Sequence, residues 1–384
     1  MEKIRFDNFV SLNRGFDLPD DKIIDGKYPV IASTSIKAYH NQFKVKAPIV
    51  VTGRSGSLGK VQYVDEDGWP LNTALYAKDF HGNNPKYVYY FLQTMHLEQY
   101  NAGAGVPTLN QNHLHSLKVL IHKLPTQQKI ASILSAYDNL IQNYKKQIEA
   151  LQTAASELYK EWFVRFRFPG WQNAKFENGI PEGWKYLKLS EFGYEVESGN
   201  RPAGGIDDSL EDGIPSLGAE SIDKLGYFDY SNVKLVPREF YDKMKRGHGK
   251  DNDILLYKDG AYIGKVTLFR NGFPFKEYAV NEHVFLLRSN NKDYQNYLYF
   301  TLNMSQYFTQ MQNLNRNAAQ PGLARGDLDR IKILVPNEKG IEKFNKLINP
   351  MIDNIFSYSK QITNLTQQRD LLLPRLMSGK LEVE

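Results

Sequence analysis

Two short stretches rich in glycine and lysine, TGRSGSLGKV at 52–61 and KDGAYIGKV at 258–266, invite a phosphate-binding reading. A phosphate loop needs G-x-x-x-x-G-K followed by Ser or Thr, so that backbone amides cradle phosphate and a hydroxyl holds magnesium. Gly53 lies one residue too far from Gly59 and Lys60, and Val61 replaces the hydroxyl. In the second stretch Asp259 takes the place of the first glycine and Val266 that of the hydroxyl. Both copies fail twice, so nucleotide chemistry is not expected. What remains is a tight β-turn in which Gly56 and Gly260 adopt positive φ. Arg54, Lys60, Lys258 and Lys265 are then expected to point outward toward a polyanion.

Other chemistries fail on spacing. NAGAGV at 101–106 is glycine-rich but precedes a strand-like stretch, which does not suit a methyl-donor site. No Asn-Pro-Pro-aromatic or Asp-Pro-Pro-aromatic tetrapeptide occurs. PDDK at 19–22 followed by DGK at 25–27 is too close-set to span two strands around magnesium, and it and the acidic runs at 65–67 and 207–208 read as solvated turns. His113 and His115 would face one side of a strand near His122, but the repeat has Asp327 and Asp329 instead, so no metal site is expected. With no cysteine, disulfides and thiol catalysis are excluded and a reducing compartment fits.

Binding is better served. One loop offers Ser33, Thr34, Ser35, Lys37 and Tyr39, and another offers Glu220 and Ser221 leading to Lys224. Ser57 and Tyr262 flank the basic turns, Lys245 and Arg246 lie in a compact basic run, and Arg316 lies in an amide-rich one. Arginine pairs with guanine, Asn and Gln with adenine, and lysine with phosphate. The net charge of +5 permits a nucleic-acid partner without demanding one.

The elements that must position these residues occur twice, with a period of roughly 210 residues. GKYPVI at 26–31 returns as DGIPSL at 212–217, YVYYFL at 87–92 as YLYFTL at 297–302, and VPTLNQNHLHSLKVL at 106–120 as QPGLARGDLDRIKIL at 320–334. KQIEAL at 146–151 returns as KQITNL at 360–365. Each copy is a β-rich module closed by a tyrosine-rich helix and followed by a long helix. The first long helix carries Ile130, Leu134, Tyr137, Ile141, Tyr144, Ile148, Leu151, Ala155, Leu158 and Trp162 in steps of four and three. The second carries Ile341, Phe344, Ile348, Met351, Ile355, Tyr358, Ile362, Leu365, Leu372 and Leu376, with Arg369 as one polar position. That is a coiled-coil seam, and the two helices are expected to pack on each other. Pro350 is expected to kink or restart the second helix with Asn349 as its cap. Residues 169–183, rich in Pro, Gly and Asn, read as a linker.

The class is therefore α+β: two similar β-rich domains separated by two long antiparallel helices in a pseudo-twofold duplication. The expected division is 1–124, helix 125–168, linker 169–183, 184–336 and helix 337–384. No apolar run of about 18 residues predicts a membrane span.

Together these residues resemble the specificity (S) subunit of type I restriction-modification systems. The resemblance is carried by LPTQQKIASILSAYDNLIQNYKKQIEAL, ELYKEWFVRFRFPG, GIPEGWKYLKLSEF, DILLYKDGAYIGKV and QITNLTQQRDLLLPRLMSGKLEV, and covers essentially the whole chain. It implies two target recognition domains, each reading one half of a split, asymmetric double-stranded DNA site. It also implies paired spacer helices, with Ile141, Tyr144, Ile148, Leu151, Leu158, Trp162, Ile355, Tyr358, Ile362, Leu365 and Leu372, that act as a ruler and dock two methyltransferase (M) subunits. Restriction (R) subunits complete such a complex in the cytoplasm. S-adenosylmethionine, ATP and magnesium belong to those partners, so no catalytic residue is expected here. The first module is shorter than the second and lacks the Pro-x-Gly-Trp opening.

Overall fold

The computed structural model describes residues 1–207, 209–314 and 322–383. The chain divides into two compact units, Met1–Ile141 with Asn364–Glu384, and Gln142–Thr363. Both divisions fall inside a long helix, so each unit comprises one module and a share of both helices.

The first unit runs β1 (Glu2–Arg5), α1 (Phe6–Phe9), β2 (Ser11–Arg14), β3 (Tyr28–Ile31), β4 (Ile36–His40), β5 (Ile49–Gly53), β6 (Val61–Val64), β7 (Trp69–Pro70), β8 (Ala74–Asp79), α2 (Pro85–Gln93), α3 (Gln111–Ser116), β9 (Lys118–Ile121) and the start of α4 (Leu124–Tyr159). Its sheets have the orders β2-β8-β5-β6, β4-β3-β7 and β1-β9. The second unit holds the rest of α4, β10 (Phe176–Glu177), β11 (Ile180–Pro181), β12 (Lys185–Lys188), α5 (Leu189–Phe192), β13 (Tyr194–Ser198), β14 (Ile214–Leu217), β15 (Lys234–Val236), α6 (Arg238–Lys243), β16 (Ile254–Tyr257), β17 (Val266–Leu268), β18 (Ala279–Val280) and β19 (Val284–Ser289). It continues through α7 (Gln295–Leu302), α8 (Ser305–Leu314), α9 (Arg325–Leu328), β20 (Lys332–Val335) and most of α10 (Glu338–Met377). Its orders are β13-β19-β16-β17, β15-β14-β18 and β12-β20. Strand for strand this is the first module again, including one parallel pair in each, β3 with β7 and β14 with β18.

The central strands β5 and β16 read IVVTG and ILLY and are buried at nearly every position, as strands covered on both faces must be. Two glycines allow the close approach of backbone in both copies. A Cβ on Gly15 would stand 2.3 Å from the Leu71 carbonyl oxygen, and one on Gly199 would stand 1.6 Å from that of Val280. The tyrosine-rich helix α2 begins with Asn84 as cap, its side chain accepting from the Tyr87 amide at 3.0 Å, and Pro85 in the first turn.

The long helices have 36 and 40 residues, about 54 and 60 Å at 1.5 Å per residue. In the second unit Tyr144 stacks on Tyr358 (5.0 Å), and Tyr159, Trp162 and Phe163 surround Phe344, so the pair runs antiparallel. In the first unit Ile130 and Leu134 share a core with Leu373, Leu376 and Met377. The buried stripe is wider than the expected seam and takes in Tyr159, Ile352, Phe356 and Ser359. Each helix also faces its own module, as Phe356 does toward Phe273 (5.5 Å), and a helix packed on two sides buries more than two positions per heptad.

Two expectations are corrected. Pro350 does not restart the second helix, because α10 is helical from Glu338 to Met377. Burial of Ile348, Ile352, Ile355 and Phe356 around that turn offsets the missing hydrogen bond, a cost of about 3 kcal/mol. Asn349 is not a cap; its side-chain Oδ1 accepts from Asn296 Nδ2 (2.8 Å) and Arg270 Nη1 (3.0 Å). The segment 169–183 is not a plain linker, since β10 and β11 form a hairpin across Asn178 and Gly179, both at positive φ. Beside it Trp184 packs on Phe163, Phe166 and Phe168.

Candidate nucleic-acid interface

The two basic stretches are equivalent hairpin loops, 54–60 joining β5 to β6 and 258–265 joining β16 to β17. They are longer than the tight turn expected, and Gly56 (φ 86°) and Gly260 (φ 127°) take the positive φ foreseen. The same backbone bonds anchor both. The Arg54 amide donates to Thr73 O (2.8 Å) and the Lys258 amide to His283 O (3.0 Å). The Leu109 amide donates to Arg54 O (2.8 Å) and the Leu323 amide to Lys258 O (3.0 Å).

The basic side chains at the head of these loops turn inward, contrary to expectation. Arg54 Nη1 reaches Asn72 O at 3.4 Å, and Lys258 Nζ donates to Glu282 O at 2.9 Å while lying over the Phe285 ring. Each carbonyl needs a donor in a half-buried corner, and the cation supplies it. Lys265 Nζ is drawn to Asp223 Oδ1 (3.3 Å), which brings the 220–224 loop against the hairpin. Lys60 is exposed, and so are Ser57 and Tyr262.

Ser33 is buried and donates to Thr73 O (2.8 Å) and Ser55 O (3.3 Å), so it ties its loop to the basic hairpin instead of facing a ligand. Thr34 is half-buried. Ser35, Lys37 and Tyr39 are exposed, the last two on β4, with Lys37 paired to Asp20. Glu220, Lys245 and Arg246 are exposed, and Ser221 is half-buried. Arg316 lies outside the described residues. His113 and His115 lie on α3 and not on a strand; His115 Nε2 accepts the Leu12 amide (3.0 Å), and burial lowers its pKa from the ordinary value. Among the described residues no group of three or more His, Cys, Asp or Glu could hold a metal, and no helix is long and apolar enough to cross a membrane.

Several polar contacts were not legible from the motifs. Asn72 Nδ2 contacts Asp17, whereas at the equivalent place Arg201 Nε meets Glu282 Oε1 at 3.2 Å. His283 lies 3.4 Å from both Asp259 and Glu282. Deeper in the second module, Arg288 forks onto Asp253 (2.6 and 2.7 Å) and reaches Glu197 Oε1 at 2.8 Å. Burial pushes the Asp253 carboxyl up against the pull of that guanidinium. Burial also opposes the ionised Glu197, yet the Gly247 amide and Arg288 hold its carboxyl below the ordinary value. An arginine inside the run HVFLLR was the available signal.

The spacer residues Ile141, Ile148, Trp162 and Ile355 are buried, and Tyr144, Leu151, Leu158, Tyr358, Ile362, Leu365 and Leu372 are half-buried. Ile148, Leu151, Leu158, Trp162, Ile355, Tyr358 and Ile362 belong to the core of the second unit, and Leu372 to that of the first. The exposed apolar side chains of the long helices are others, including Ile133, Leu140, Leu347 and Leu371. The polar seam position Arg369 donates to Asp138 Oδ1 at 2.6 Å, and Tyr90 donates to Asp138 Oδ2 at 2.5 Å. Burial, with the neighbouring carboxylate, raises the Tyr90 phenol well above its ordinary value.

Twin β-modules with one strand order, each with a stapled basic hairpin and divergent polar side chains, define an internally duplicated α+β protein. Residues 2–153 and 181–368 match the family model described as the type I restriction modification DNA specificity domain. The chain is 30% identical over 372 residues to the type I restriction enzyme MjaIX specificity subunit of Methanocaldococcus jannaschii, covering 92% of this chain and 82% of that one. It is 19% identical to the HindI specificity subunit of Haemophilus influenzae, over 98% and 95% of the two chains. The fold matches the crystal structure of an S subunit from M. genitalium with a TM-score of 0.65 at 18% identity, covering 98% and 96%. The chain belongs to the type I restriction-modification DNA specificity family and, with two such regions, is a specificity subunit.

Proposed function

We propose that each module reads one half of a bipartite, asymmetric double-stranded DNA site, and that the chain performs no chemistry itself. The observation that carries this is one strand order used twice with different side chains around the same stapled hairpin. Identical frames can address equivalent places on DNA, while Asp17 and Asn72 against Arg201 and Glu282 give the two frames different donors and acceptors. In this reading the exposed Lys37, Lys60, Lys245 and Arg246 meet phosphate, and Ser35, Tyr39, Ser57, Glu220 and Tyr262 lie nearer the bases. Arg54, Lys258 and Lys265 reach DNA only by exchanging their internal partners, Asn72 O, Glu282 O and Asp223, for phosphate.

The long helices dock two methyltransferase subunits, and restriction subunits join that assembly. S-adenosylmethionine, ATP and magnesium are placed in those partners, in the cytoplasm. The test is methylome sequencing of cells carrying this chain with its neighbouring methyltransferase. A split motif is expected. Arg54→Ala should relax one half of it and leave the other intact; an unchanged motif at unchanged occupancy would refute the role of Arg54. Methylation without cleavage, and co-purification without a nuclease, would place the chain in a methylation-only complex.

A further inference from the structure

One connection is much longer in the second module than in the first. Residues 237–253 join β15 to β16, and only 41–48 join β4 to β5. The long connection includes α6 and then the bend with Lys245 and Arg246. Both are exposed and neither makes an ion pair among the described residues.

The segment after the bend is clamped by side chains. Glu197 Oε2 accepts the Gly247 amide (3.2 Å), Arg288 Nη2 donates to His248 O (3.0 Å), and Asp253 Oδ2 accepts the Lys250 amide (2.8 Å). These are the same Arg288, Asp253 and Glu197 that bind one another. Asp253 is 1% exposed and the Arg288 side chain 15%, so the network bears a large desolvation cost. Sheet formation does not require it. At the same register the first module has Ile49 for Asp253, Lys78 for Arg288 and Asn13 for Glu197, and its strand order is unchanged. The network and the inserted connection occur together.

We propose that Arg288, Asp253 and Glu197 are positioning residues that hold the 244–250 bend as a second-module contact to the DNA backbone, with Lys245 and Arg246 meeting phosphate. The proposal rests on the DNA reading above. Two unpaired cations on a backbone fixed at three points suit a polyanion whose charges recur at regular spacing. A floppy loop would lose entropy on every encounter; a clamped one has already lost it.

The decisive variant is Glu197→Gln. The carboxylate accepts on both oxygens, from Gly247 and from Arg288. An amide replaces one acceptor with a donor, which must then face the amide of Gly247 or the guanidinium. The complex with the methyltransferase partner is titrated with salt against a duplex carrying the methylome-defined motif. Lys245→Ala with Arg246→Ala should make the slope of log K against log salt shallower by about 1.8, or 0.9 per phosphate. Glu197→Gln should lower it by a similar amount, and the triple variant no further. A merely structural role would reduce the binding-competent fraction and leave the slope at its parent value, or would add to the double variant; either result overturns the proposal. If Glu197→Gln does not fold, Arg288→Lys keeps the charge without the fork and should give the same slope change. Failure of the parent complex to bind any duplex would sink the DNA reading itself, which the slope comparison keeps distinct.

Discussion

The two modules share every strand and differ in what is polar inside them. The first keeps Ile49 buried at the place where the second buries the Asp253 carboxylate against Arg288. The first joins Asp17 to Asn72 beneath its basic hairpin, and the second joins Arg201 to Glu282. Backbone staples, by contrast, are the same: Leu109 to Arg54 and Leu323 to Lys258. The frame is therefore specified by main-chain bonds and by glycines that admit close approach. The polar side chains differ between the modules while the strand order stays the same.

That division can be broken most severely at Asp253. Asp253→Ala removes the forked partner of Arg288 and leaves it Glu197 as its one carboxylate, and should cost the second unit about 3–4 kcal/mol. Replacing Asp253 with Ile and Arg288 with Leu together should recover most of that loss; urea unfolding of both variants checks it. If the double replacement were as damaging as the single one, the second module would need its ion pair in a way the first does not. In the first unit, Asp138→Ala leaves Arg369 and the Tyr90 hydroxyl without their shared acceptor and should cost about 3 kcal/mol, read from its unfolding transition. Next come the glycines. Gly199→Ala places a methyl 1.6 Å from Val280 O and Gly15→Ala places one 2.3 Å from Leu71 O, so both should destabilise by about 1–3 kcal/mol, Gly199 more. Thermal unfolding of the pair ranks them.

The smallest effect is on pH. His115 accepts the Leu12 amide and must be neutral to do so, while the equivalent Asp329 accepts from the Tyr194 hydroxyl at 3.0 Å. Burial lowers the folded-state pKa of His115 below 6.5. The unfolded chain then binds the proton more readily, so the contribution is fully present above that value and fades as pH falls through the lower folded one. Acidification toward pH 5 should weaken the first unit, and His115→Asn should flatten that response. Equal acid sensitivity in parent and variant would remove His115 from the account.

Much of the frame was legible because duplication repeats apolar runs in order. VQYV and KVTLF became β6 and β17, and the tyrosine-rich stretches became α2 and α7. The three-four seam located both long helices. What misled was local chemistry judged without its tertiary setting. Pro350 reads as a restart until the buried turn around it is counted. Asn178 and Gly179 are a hairpin signal that passed for linker composition. Ser33 and Lys258 are polar types that binding surfaces use, and here both satisfy backbone carbonyls. The network of Arg288 depends on three segments distant in sequence, so no spacing could reveal it.

The Arg369–Asp138 pair has one more implication. Leucine and isoleucine contacts are nearly interchangeable, so a helix pair closed by them alone tolerates slippage by a turn, about 5.4 Å. A lone guanidinium that finds its carboxylate at only one setting makes every neighbouring setting costly. Within the first unit that ion pair works as a single notch on a sliding rule: it adds little grip, but it decides where the slide stops.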